Sequence, residues 1–311
     1  MAATPELPLA GSGRPLRRWW PVALITGLLS GLIVLLGLSW WLTEPLDDDD
    51  EVAISGPPAK VDVPEPTGPP PWPDSRIEGK PAKELLLTSL RAVAAHLETV
   101  DTYTTTLRRR ERIGGKLGPE QTMILKVRNR PFAIYLKVLA PKAGKEVIYA
   151  AGHHDNKMIA HAGDWTRRLI PRLAVAPDSA IALADNRHPI TDAGLVHLTR
   201  RLINFREMDL DDNHAETILD RATGPDGRPW PRSIHLHPTP DDGRPFARVE
   251  ILYDPESFLP MEIFNYDWLP DGQPGELPLA ESYRYADLVL NAPVTAIDFD
   301  PANPAYEFAR Y

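Results

Sequence analysis

The spacing of apolar residues divides the chain into three regimes. From Trp19 to Thr43 the residues carry no charge and are dominated by Leu, Ile, Val, Gly and Trp. From Glu44 to Ser75 apolar side chains thin out among nine Pro and nine Asp or Glu, with Lys60 the single basic residue. From Arg76 onward the apolar positions become periodic, at helical spacing first and at strand spacing afterwards.

The helical spacing lies in Leu86, Leu90, Val93 and Leu97 and predicts a helix from Pro81 to about Glu98. A period of two then predicts strands around Met123–Val127, Phe132–Val138 and Val147–Ala151, separated by turn-forming Asn129-Arg130-Pro131, Pro141-Lys142-Ala143-Gly144 and Asp155-Asn156. A short helix capped by Asp178 and running to about Asp185 interrupts them. A longer one over about Asp192 to Glu207 follows, with Leu195, Leu198, Leu202 and Phe205 as its buried stripe. Strands return at Thr217–Arg221, Arg232–His237, Ala247–Tyr253, Pro260–Trp268 and Glu281–Leu290. About nine antiparallel strands with helices grouped at two places describe an α+β domain: a curved antiparallel sheet or incomplete β-barrel packed with helices.

The uncharged run has the length of a bilayer, since roughly 20 helical residues span about 30 Å. Trp19-Trp20 and Trp40-Trp41 bracket it where indoles favour the headgroup layers, and Gly27 and Gly31 form a G-x-x-x-G pair. Arg14, Arg17 and Arg18 precede it and acidic residues follow it, which predicts a cytoplasmic N-terminus and a main domain outside. A cleaved signal peptide is the competing reading, but its apolar core is shorter and ends in small residues, whereas this run closes with Trp-Trp-Leu-Thr-Glu. The expected organisation is a cytoplasmic tail at 1–18, a transmembrane signal-anchor helix at 19–43, an acidic Pro-rich linker at 44–75 and an extracytoplasmic, periplasmic domain at 76–311. The linker cannot bury enough apolar surface to order itself.

Charge and composition remove function classes. The chain of 311 residues has a net charge of −9 and no Cys, which excludes thiol nucleophiles, zinc fingers and iron–sulfur sites. Most of the net acidity falls in the linker, and the near-neutral domain lacks the clustered basic field of a nucleic-acid surface. The sequence contains no G-x-S-x-G, H-E-x-x-H or phosphate-binding glycine loop. No catalytic, cofactor-binding or metal-ligating residue is assigned, and the chain is expected not to be an enzyme.

Four groups have residue types suited to chemistry, and each has a plainer explanation. His153 and His154 with His161, on opposite arms of a hairpin, have the residue type for zinc or copper, but hairpin tips gather exposed polar residues in any case. His235 and His237 alternate with Ile234 and Leu236 as on a strand with one solvated side. Asp298, Asp300 and Asn303 offer oxygen ligands, yet Pro301 and Pro304 point to a fixed, cap-like tail. Arg108, Arg109, Arg110 and Arg112 read as a solvated edge strand rather than a headgroup site.

Three separated words resemble a bacterial family known only as a domain of unknown function. The first is Lys126-Val127-Arg128 with Pro131-Phe132, Tyr135, Pro141, Gly144, Glu146-Val147-Ile148-Tyr149 and His161. The second is Asn186-Arg187-His188-Pro189-Ile190-Thr191 with Gly194 and Leu198, and the third is Asp298-Phe299-Asp300 with Asn303-Pro304-Ala305-Tyr306 and Phe308. The resemblance spans roughly Thr99 to Phe308. That family is similar in expected architecture to the periplasmic lipoprotein-carrier (LolA-like) fold, an incomplete barrel whose concave apolar face is partly plugged by helices. This implies a lipid or lipoprotein acyl chain as ligand; the alternative is a structural or scaffolding module whose sheet edge or concave face binds another envelope protein, with no small ligand. A chain tethered by its own helix departs from a diffusing shuttle.

Overall fold

The computed structural model describes residues 69–163, 172–240, 243–269 and 275–310. The tail 1–18, the expected membrane helix Trp19–Thr43 and most of the linker lie outside the described residues. Among the described residues no helix is long and apolar enough to cross a membrane.

Among the described residues the domain is built on one open, curved antiparallel sheet of 13 strands. In chain order these are β1 (Ile77–Glu78), β2 (Thr102–Ile113), β3 (Lys116–Leu117), β4 (Gln121–Arg128), β5 (Ala133–Ala140), β6 (Glu146–Ala150), β7 (Met158–His161) and β8 (Leu173–Val175). They continue with β9 (Glu216–Thr223), β10 (Pro229–Leu236), β11 (Arg248–Tyr253), β12 (Pro260–Tyr266) and β13 (Leu279–Leu290). The spatial order β1-β9-β10-β11-β12-β13-β2-β4-β5-β6-β7-β8 leaves β1 and β8 as unjoined ends, and β3 pairs with β2. Register shifts in the β4–β5, β11–β12, β12–β13 and β13–β2 pairs are bulges, which bend and twist a sheet locally.

Among the described residues three α-helices accompany the sheet: α1 (Gly79–Leu97), α2 (Ala180–Leu183) and α3 (Leu195–Leu210). The α1 stripe read from the sequence is the one buried, with Leu86, Leu90, Val93 and Leu97 at 0–2% exposure. The short helix α2 is capped by Ser179, whose hydroxyl accepts from Ala182 N, and not by Asp178. On α3, Leu195 and Leu202 are buried as expected. Phe205 is only half-buried, and Arg206 and Asp209 occupy the inward positions. The start of α3 is set by Gly194 at φ 100°, where the Leu195 N–H donates to the Tyr103 hydroxyl at 2.9 Å.

The expected domain boundary at Arg76 falls inside the folded unit. Trp72 is 6% exposed, its indole N–H donates to Asp220 O at 2.7 Å, and its ring packs against Tyr253 and Phe258. A Pro-rich composition disfavours a fold of its own, but one large indole with a pocket and an acceptor anchors the segment's end to the domain.

Sheet register sorts the faces. The inner row Tyr103, Val127, Ile134 and Tyr149 crosses β2, β4, β5 and β6, and the row Leu219, Ser233, Ile251, Ile263 and Tyr283 crosses β9 to β13. The leucines of α1 and α3 join these rows in two apolar clusters. The opposite face over β9 to β11 carries a charge ladder, with Arg232 paired to Asp220 at 2.6 Å and to Glu250 at 3.0 Å. The β2 arginines therefore do not mark an edge: β2 is an interior strand between β13 and β4, with Arg108 and Arg110 exposed on the outer face and Glu111 buried on the inner one.

Candidate functional site

The second family word closes over the inner face. Strand alternation puts Arg109 and Glu111 of β2, Glu281 and Tyr283 of β13 and Asn265 of β12 on the helix-covered side. The segment between α2 and α3 lays Asn186, Arg187 and His188 on them. Glu281, with 3% of its side chain exposed, accepts from Arg187 Nε at 2.8 Å, His188 Nε2 at 3.0 Å and Asn265 Nδ2 at 2.8 Å. Glu111 accepts from the Tyr283 hydroxyl at 2.6 Å and from the Arg187 main-chain N–H at 3.2 Å. Arg109 donates to Gln121 Oε1 at 2.8 Å and to Asn186 Oδ1 at 2.6 Å, and Arg187 reaches Arg112 O at 3.0 Å.

The electrostatics follow from this pairing. Burial pushes the Glu281 carboxyl up, but the bonds from His188 and Asn265 and the Arg187 charge hold it below the ordinary carboxylate value. Burial and the two neighbouring carboxylates push the Tyr283 phenol well above its ordinary value. Both carboxylates have their acceptor positions turned to protein donors, so the cluster grips its own loop and leaves no free base beside a nucleophile.

A second inner cluster lies under the end of α3. Asp209 receives Arg244 Nε at 3.0 Å and His237 Nε2 at 3.3 Å, and its other oxygen is ion-paired with Arg206 Nη2 at 2.9 Å. His235 and His237 are 0% and 5% exposed, so the solvated strand side expected for them is overturned. His235 meets Ser233 Oγ at 3.1 Å and Thr217 Oγ1 at 3.2 Å. Burial first, then the charges of Arg206, His237 and Lys83, lower its basicity far below that of an ordinary imidazole. Partners from the neighbouring strand residues Ser233 and Thr217 for His235, and from α3 and the loop at Phe246 for His237, satisfy this strand face.

The other candidates separate. His153 and His154 are exposed at the β6–β7 turn, whereas His161 is buried on the outer sheet face against Glu146 at 3.0 Å, so the three do not converge. Among the described residues no group of three or more His, Asp or Glu is placed to hold a metal ion. The cap-like reading of the tail holds. Asp298 accepts from Thr295 N at 2.9 Å and from Lys126 at 2.6 Å, and Asn303 Nδ2 donates to Ile297 O at 3.0 Å. Sequence reasoning missed Glu111, Glu281 and Glu146 as buried carboxylates. Only Glu146 carried a signal, as part of the first family word; Glu111 and Glu281 stand in none of the words.

Two shallow concave sites, of about 240 and 360 Å³, lie along Asp192, His197 and Arg200, and along Arg128, His153 and Phe299. Neither is lined by the inner-face leucines.

No curated protein matches the chain. Among solved structures it is similar to the Mycobacterium tuberculosis lipoprotein LppX, with 13% identity over 71% of this chain and 100% of that one and a TM-score of 0.39. It is also similar to a putative outer membrane lipoprotein-sorting protein domain from Vibrio parahaemolyticus (9% identity, 68% and 95% covered, TM-score 0.31). A third likeness is to the Pseudomonas aeruginosa MucA/MucB complex (14% identity, 71% and 60% covered, TM-score 0.35). The family pattern matched across residues 100–308 takes in all three words of the sequence, and the chain belongs to the DUF1571 family, proteins of unknown function.

Proposed function

We propose that this chain is a non-catalytic, membrane-anchored binding module of the cell envelope. Trp19–Thr43 holds it in the inner membrane with the N-terminus cytoplasmic, the sheet domain is periplasmic, and an acyl chain of a lipid or lipoprotein is its ligand. The observation that carries this reading is the pair of apolar clusters on the inner face of an open sheet, covered by helices that are not part of the sheet. Concave apolar surfaces are the usual seats of apolar ligands.

Magnitudes narrow the ligand. Uncovering Leu86, Leu90, Val93, Leu97, Leu195 and Leu202 costs roughly 9–18 kcal/mol at about 1.5–3 kcal/mol per side chain. A sixteen-carbon chain returns roughly 12 kcal/mol at about 0.8 kcal/mol per methylene. One chain therefore barely replaces the helices, and a ligand carrying two or three chains is favoured. The test is photo-crosslinking of the full chain in bilayers with a diacyl probe and a single-chain probe. Labelled peptides from β4 and β5, stronger with the diacyl probe, are expected. Labelling confined to Trp19–Thr43 would sink the acyl reading.

A second reading is a scaffolding module for another envelope protein, with no small ligand. It is favoured by the helix leucines, which already fill the inner face in the described conformation. Crosslinking in native membranes that recovers one defined protein on the sheet domain, with no lipid on β4 or β5, is its expected signature. Recovery of no protein would count against it.

A further inference from the structure

Arg206 is 4% exposed on the inward side of α3, one turn beyond Leu202 of the second apolar cluster. Its Nη2 lies 2.9 Å from Asp209 Oδ2, an ion pair whose geometry is not that of a hydrogen bond. Its Nε and Nη1 have no hydrogen-bond acceptor among the described residues. Buried N–H groups are paired as a rule. This guanidinium is therefore built for an acceptor that the side chains around it do not supply.

The neighbours define that acceptor. Asp209 is shared, because its Oδ1 already receives His237 Nε2 at 3.3 Å and lies 2.9 Å from Arg244 Nη2. Lys83 of α1, also buried, donates to a main-chain oxygen, Asp212 O, at 2.7 Å. On the strand side Ser233 Oγ meets the Tyr253 hydroxyl at 3.0 Å and His235 Nε2 at 3.1 Å, so these groups are spent on one another. The Arg206 charge acts on both Tyr253 and His235, and neither offers a negative charge in return. Two guanidiniums thus share one carboxylate in a buried setting. A guanidinium's planar donors match carboxylate and phosphate oxygens. An anion supplies both the acceptors and the compensating charge, which water does not.

We propose that Arg206 seats a phosphate or carboxylate group, the anionic end of the acyl ligand; this seat presupposes the acyl chain on the inner face. The length of α3 fits such a ligand. Leu195, which packs in the first apolar cluster with Met123, Leu125 and Ile134, precedes Arg206 by about 16 Å along the helix at 1.5 Å per residue. A chain whose head lies on Arg206 runs beneath α3 past Leu202 and ends against β4 and β5.

Photo-crosslinking of the full chain in bilayers with a photo-reactive dipalmitoyl phosphatidic acid tests this, with unlabelled dipalmitoyl phosphatidic acid, dipalmitoylglycerol hemisuccinate and dipalmitoylglycerol as competitors. The three competitors share their chains and differ in head charge. The two acids are expected to displace the probe at least about tenfold more readily than the neutral lipid. With Arg206→Met that preference is expected to vanish, while dipalmitoylglycerol competes within about twofold of its wild-type level. In the wild type, a reactive group beside the phosphate is expected to mark β10, β11 or the end of α3, and one at the methyl ends to mark β4 and β5. Equal competition by all three lipids, or marks in the reverse order, would overturn the seat and leave the acyl chain in place. Labelling of none of these strands would sink the acyl reading and the seat with it; inorganic phosphate that raises the wild-type Tm but not that of Arg206→Met would then mark a free-anion site instead. The wild-type ranking and marks decide the matter even where the variant does not fold.

Discussion

Glu281→Gln removes one charge from the centre of the inner-face grip and leaves its shape nearly unchanged. The wild-type carboxylate takes Arg187, His188 and Asn265. A glutamine amide can accept at one end only and presents N–H groups to donors at the other. Breaking a buried ion pair by removing one partner costs about 3–5 kcal/mol. Here Arg187 and His188 keep 27% and 31% of their side chains exposed and regain water, which brings the expected loss to about 2–3 kcal/mol. For a domain of this size that is a fall in Tm of roughly 4–12 °C. Thermal and urea unfolding at neutral pH, followed by circular dichroism, measure it.

The pH dependence supplies a second arm. Because the folded Glu281 carboxyl is held below its ordinary 4.5, its contribution is full above that pH and is lost as pH falls through the depressed value. The gap between wild type and Glu281→Gln is expected to be full at neutral pH and to narrow below about pH 4.5. A gap under about 0.5 kcal/mol at neutral pH, or one that persists unchanged into acid, would refute the reasoning.

Three further outcomes follow from other contacts. Tyr103→Phe leaves the buried Leu195 N–H without its acceptor and is expected to cost about 1–3 kcal/mol in unfolding experiments, with faster exchange at the start of α3. Gly163→Ala would drive a Cβ into the backbone of Ala143, Gly144 and Lys145, so it is expected to lower Tm more than any surface substitution and to disturb the β6–β7 pairing. Trp72→Ala is expected to destabilise the domain by about 3–5 kcal/mol, and a chain beginning at Arg76 to show a similar loss by calorimetry.

The fold was legible wherever one residue's neighbours along the chain carry the physics. The α1 stripe and the Met123–Leu125–Val127 alternation describe faces that the structure buries, because periods of 3.6 and 2 are properties of the local backbone. The Asp298–Asn303 tail was read correctly for the same reason: its caps close over a few residues. Segments of two or three residues such as β1, β3 and β8 carry too little pattern to be seen.

What only the tertiary structure decided is which face is wet and which charges are inside. Alternation separates His235 and His237 from Ile234 and Leu236, but it is silent on whether α3 lies over one side. Asp209 and Arg244 come to that face from beyond the strand. Likewise, nothing local distinguishes Glu111 and Glu281 from exposed acids. β2 and β13 must first pair across most of the domain before Arg187 and His188 can be laid on them. A carboxylate is affordable inside only when its donors arrive, and these donors come from elements distant in the chain. By itself, therefore, the sequence determined the elements and their two-sidedness, while the tertiary structure decided which polar side chains hold the molecule together.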